Sequence, residues 1–180
     1  MTNPEEQAGS TQAPIFVEDL FLTESFLVKG RLSRKYHRLT KMLEDNERMF
    51  IGIEDATMIS LRGNEVIRTP SVLIHRKEII FAHELVDVAG DNVQKKMAQN
   101  EKSVRLRAFY NGSVQIELSG KVEPMAYESL PNTPHRRFFV MAEPVIRGLN
   151  IDGNPELRCL KGLGYAIVQK DRLAYVYDFS

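Results

Sequence analysis

The densest set of residues able to do chemistry is Arg31, Arg34, Lys35, Arg38 and Lys41, with Tyr36 and His37 among them and no acid in between. Guanidinium groups hold phosphates in bidentate fashion, and aromatic rings interleaved with cations can stack on bases. This segment is therefore the candidate ligand-binding site, for a nucleic acid or a cyclic dinucleotide. The alternative, which the run of like charges favours, is a solvated loop whose cations serve solubility. A second candidate is the C-terminal run Leu173 to Phe179, in which Tyr175, Tyr177 and Phe179 fall on alternate positions. Such a strand is either sealed into a core or left as an edge that a partner extends, with these aromatics as anchors.

Other reactive residues do not form sets. His75 and His83 stand apart with no second His or Cys at metal-ligand spacing. Cys159 is the single cysteine, so no intramolecular disulfide forms. No Gly-x-Ser-x-Gly elbow is present, and Lys161-Gly162-Leu163-Gly164 lacks the helix and further glycine of a phosphate loop. Glu54 and Glu143 occupy matched positions, but general acid and base catalysis needs both carboxylates in one pocket. No catalytic residue, metal or cofactor is expected, and the protein reads as a non-enzyme.

The elements that position these residues occur twice. Arg48-Met49-Phe50-Ile51 with Glu54 returns as Arg137-Phe138-Phe139-Val140 with Glu143. Gly63-Asn64-Glu65-Val66-Ile67-Arg68 returns as Gly153-Asn154-Pro155-Glu156-Leu157-Arg158, and Gly30-Arg31-Leu32 as Gly120-Lys121-Val122. Internal repeats of this kind decide the architecture. Phe26 to Leu32 alternates as a strand does, Leu39, Met42 and Leu43 are spaced as on a helix, and β-rich runs follow at 49–53, 56–61, 66–74 and 79–85. In the second half Asn111-Gly112 marks a hairpin between 105–110 and 114–122. Pro124, Pro131 and Pro134 shorten or remove the helix there, and strands are expected at 138–142, 145–151, 156–160, 165–169 and 173–179.

The fold class expected is mainly β with short helices (α+β): two tandem small barrel-like or curled-sheet copies related by internal duplication. Their bounds are 15–89 and 104–180, with a disordered tail at 1–14 and a helical connector at 90–103. With 180 residues, two small domains fit the length. Lys plus Arg equals Asp plus Glu at 24 each, so no global field draws the chain to nucleic acid or anionic lipid. No run reaches the roughly 18 apolar residues of a membrane helix, the polar start is unlike a signal peptide, and one lone cysteine suits a reducing compartment. The expectation is a cytoplasmic protein without membrane insertion.

Around Arg38-Leu39-Thr40-Lys41-Met42-Leu43 and Arg48-Met49-Phe50-Ile51-Gly52-Ile53-Glu54-Asp55-Ala56 the chain resembles a family of small uncharacterised bacterial β-rich domains, a likeness that implies a domain type and no activity. From Ile53 to Ile80 it is also similar to the closing strands of Sm-like and SH3-like barrels. Arg34-x-x-x-Arg38 followed by Ser60-x-x-Gly63 resembles the two-part cyclic di-GMP signature of PilZ domains, although Met58 stands where that family has Asp or Asn. The duplication, balanced charge and absent catalytic signature together favour a protein-interaction or assembly module with a protein partner or self-association. The alternative is a nucleotide or nucleic-acid binder using Arg31 to Lys41.

Overall fold

A computed structural model describes residues 19–34, 38–45, 47–85, 102–129, 131 and 135–179. The expected tail at 1–14 and most of the expected connector helix lie outside the described residues, as does Lys35 with Tyr36 and His37.

Among the described residues ten strands form one antiparallel sheet. They are β1 (Asp19–Leu22), β2 (Phe26–Leu32), β3 (Phe50–Ser60), β4 (Val66–His75), β5 (Phe81–Glu84), β6 (Val104–Tyr110), β7 (Ile116–Val122), β8 (Phe138–Arg147), β9 (Tyr165–Gln169) and β10 (Tyr175–Asp178). The short helix α1 (Leu39–Glu44) buries Leu39, Met42 and Leu43, the three residues whose spacing marks it. The order across the sheet is β10-β6-β7-β8-β9-β5-β1-β2-β3-β4. The ladder is open, with β10 and β4 at its ends, so the expectation of barrels is corrected. Strands β5 and β9, whose outer edges a barrel would close within each set of five, instead pair with each other, while β4 and β10 are left at the ends.

Two further expectations change. Positions 49–53 and 56–61 form one continuous strand, β3, because Asp55 takes a left-handed φ of 49° and the ladder runs on past it. Residues 156–160 form a 3-10 helix, Pro155–Leu160, and not a strand. Asn154 starts it by accepting the Glu156 N–H at 3.0 Å, and proline at the first position supplies a preset φ.

The hydrophobic core lies on both faces of the sheet. One cluster gathers Phe21, Val28, Ile51, Ile53 and Ile74 under α1. The other gathers Ala108, Leu118, Phe139, Met141 and Val168 beneath Leu157 and Leu160 of the 3-10 helix. Central strands β1, β5 and β9 bury both faces and feed alternate side chains to each cluster.

Candidate functional site

The ladder of the first five strands and that of the last five each contain one slip in register. Strands β2 and β3 slip register between Lys29 and Arg31, and β7 and β8 slip between Ser119 and Lys121. Opposite each slip stands an acid in the left-handed region, Asp55 at φ 49° and Glu143 at φ 48°. A Cβ on Gly30 would meet Ile53 Cγ2 at 2.5 Å and the Glu54 carbonyl at 2.7 Å. One on Gly120 would meet the Ala142 carbonyl at 2.5 Å and Met141 Cγ at 2.6 Å. Only glycine admits so close a backbone at these bulges. Beyond each glycine a cation meets the left-handed acid: Arg31 Nη2 lies 3.3 Å from Asp55, and Lys121 Nζ 3.2 Å from Glu143. Glu143 thus stands in its bulge as Asp55 does in the other, one position along from the Glu54 with which the sequence aligns it.

The turns match as well. The Arg76 N–H donates to the Met49 carbonyl, Ile79 N–H to Arg76 and Ile80 N–H to Leu22; the counterparts are Lys170 to Arg137, Leu173 to Lys170 and Ala174 to Phe109. Buried Arg76 donates from Nη1 to the Leu43 carbonyl at 3.1 Å, at the end of α1. After the second of these turns Lys170 Nζ donates to the Glu128 carbonyl at 2.9 Å, in the segment that follows Pro124. Burial lowers the pKa of both cations, with Arg137 adding to the effect at Arg76.

Where the two sets of strands meet, Phe81 pairs with Val168 and Ala82 with Ile167, and the Gln169 N–H donates to Ile80 at 3.0 Å. The Tyr110 hydroxyl, fully buried and pushed well above its ordinary pKa by burial, donates to the carbonyls of Gln169 (3.1 Å) and Ile80 (3.4 Å). The Glu44 carboxylate accepts the N–H groups of Arg137 (3.1 Å) and Phe138 (2.9 Å). Lys29 Nζ lies 3.0 Å from Glu156, and Arg172 pairs with Glu24.

The basic segment is less free than its composition suggests. Arg31 lies within 3.2 Å of Glu54 as well as 3.3 Å from Asp55. Arg34 and Arg38 are exposed, and Lys41 is exposed on α1. The Ser60-x-x-Gly63 turn lies far from them: Leu32 registers with Ile53 and Phe26 with Ser60, so the two parts of the PilZ-like pattern stand toward opposite ends of β3. Ser60 Oγ accepts the Gly63 N–H at 3.2 Å, a local turn contact.

The aromatic candidates fall on a sheet edge. β10 pairs with β6 on one side and with no other strand among the described residues. Tyr175 is 65% exposed, Tyr177 58% and Phe179 51%, and the last two rings pack edge to face at 4.7 Å. At the far end of the sheet, β4 exposes Leu73 at 69% with Val66 and Ile67. Leu73 escaped the sequence reading, although Pro70 inside its strand was a signal, since proline within a strand marks an edge.

Beside β10 an open groove of about 560 Å³ is lined by Arg105, Arg107, Lys121, Glu143, Arg147 and Phe179. Its cations are largely matched: Glu117 receives Arg107 at 2.7 Å and Arg147 at 2.8 Å. Partial burial raises the pKa of the Glu117 carboxyl, and the two arginines outweigh that and hold it below the usual value. Cys159 is half-buried with its thiol pKa raised by burial, which suits packing better than nucleophilic attack. Among the described residues no group of His, Cys, Asp or Glu could hold a metal ion, and no helix is long and apolar enough to cross a membrane. No family model, curated protein or solved structure matches the chain.

Proposed function

We propose that the chain is a non-enzymatic assembly module, built by duplication of one five-strand unit, that associates with protein through its exposed sheet edges. Duplication is supported by the two glycine bulges facing left-handed acids, the three matched turn hydrogen bonds and the matched strand orders β5-β1-β2-β3-β4 and β10-β6-β7-β8-β9. The observation that carries the assembly reading is the placement of exposed apolar side chains on both terminal strands, Leu73 at one end and Tyr175, Tyr177 and Phe179 at the other. An unpaired strand edge with apolar side chains is a template for a further strand.

Chemical cross-linking in native lysate followed by peptide mapping tests this reading. Cross-links to other protein should concentrate at 66–75 and 175–179, and Leu73→Lys with Val176→Lys should remove them. Cross-links that map elsewhere, or that survive the double substitution, overturn it.

A further inference from the structure

The central junction is a worked example of how the two free edges could meet. By register, β9 corresponds to β4 and β5 to β10, so the pair that joins the halves corresponds to the two strands left open. Ile167 matches Leu73, Ala82 matches Val176 and Phe81 matches Tyr175, the last match also following from Phe81 lying opposite Leu22 and Tyr175 opposite Phe109. At the junction Ile167, Ala82 and Phe81 are each 0% exposed. At the free edges their counterparts are exposed to 69%, 37% and 65%, yet remain apolar or aromatic. A charged side chain is one usual guard on an edge that stays unpaired, and none of these three positions carries one, although β10 is short and β4 contains Pro70.

Backbone orientation agrees. The Phe179 N–H donates inward to Arg105, so by the two-residue period of an antiparallel ladder Tyr175 and Tyr177 also face β6, and Val176 turns its N–H and carbonyl outward. The Arg76 N–H donates inward to Met49, so Leu73 and His75 turn theirs outward. These are the same positions as Ala82 on β5 and Ile167 and Gln169 on β9.

We infer that a second copy of this chain docks head to tail, its β4 adding to β10 antiparallel, with Leu73 opposite Val176 and the His75 N–H donating to the Ala174 carbonyl. The contact repeats between molecules the pairing that β9 and β5 make within one. It is heterologous: each addition buries one β4 and one β10 and leaves one of each, so the product is a ring or a filament and not a two-fold dimer. This inference rests on the assembly reading above and gives it a partner.

Sedimentation velocity and light scattering on the full chain, over protein concentrations of about 5 to 500 µM, test it. The wild-type mass should rise above the 20.6 kDa monomer with concentration. Leu73→Lys and Val176→Lys, both at solvent-facing positions, should each stay at monomer mass with unchanged circular dichroism. Mixed in equal amounts, they retain one intact edge apiece and should form a dimer and nothing larger. Recovery in the mixture also shows that both variants are folded. A wild type that stays monomeric throughout overturns the inference, and the cross-linking experiment then decides separately whether the edges take another protein. Single variants that still self-associate, or a mixture that gives no dimer, overturn the head-to-tail geometry while leaving self-association standing.

Discussion

Tyr110 illustrates how one side chain joins two parts of the molecule. Its hydroxyl reaches the carbonyls of Ile80 and Gln169, the two residues that face each other across the junction. A net hydrogen bond contributes about 1 kcal/mol, so Tyr110→Phe should lower the melting temperature by about 2 to 4 °C, read by calorimetry. Glu117 makes a pH prediction. Its folded pKa lies below the unfolded value near 4.3, so both states are ionised at neutral pH and the stabilisation is fully present there. It is lost as pH falls below the unfolded value and through the lowered folded one. Urea titrations between about pH 3 and 7 should show a steeper acid loss in the wild type than in Glu117→Gln, and parallel curves would exclude Glu117 as a source. The aromatic alternation of Tyr175, Tyr177 and Phe179 was legible in the sequence. Its exposure was not, because alternation fixes which side chains share a face and leaves open what covers that face.

At the scale of elements, the glycine bulges are the most constrained feature. Adding a methyl group at Gly30 or Gly120 presses on a backbone carbonyl in each case, and overpacking of this kind costs about 1 to 3 kcal/mol. Gly30→Ala and Gly120→Ala should therefore destabilise to a similar extent, measured by chemical denaturation; a large cost at one and none at the other would count against the equivalence of the bulges. The Gly-Arg and Gly-Lys pairs were visible in the sequence, as were α1 and the Asn111-Gly112 hairpin, because local φ preferences and side-chain period dictate them. The segment 155–160 differs from the expected strand because its Leu157 and Leu160 suit either a strand or a short helix, and the Asn154 cap with Pro155 at the first position favours the helix.

All the described strands belong to one sheet, and its halves share core as well as backbone pairing. Leu20, Leu22 and Leu27 of the first half pack into the cluster centred on the second, and Phe138, Tyr165 and Ile167 of the second pack into the cluster under α1. Cooperative unfolding follows from such sharing. Urea denaturation followed by circular dichroism and tyrosine fluorescence should give coincident transitions, and a chain cut after residue 85 should lose its melting transition because β5 would face water where β9 now lies. Two separated transitions in the intact protein would mean that the junction contributes little.

By itself, the sequence determined what neighbours in the chain decide: mainly β structure, the short helix α1, the Asn111-Gly112 hairpin and a motif that returns in the second half. Tertiary structure alone decided how the halves are joined. Every residue but proline offers the same backbone donor and acceptor at a strand edge, and β5 has no proline, so nothing local tells whether it closes on its own half, meets β9 or stays open. That choice depends on which apolar faces can be buried together, and it places Leu73 and Val176 at the two ends of the sheet while their counterparts Ile167 and Ala82 are sealed at its centre.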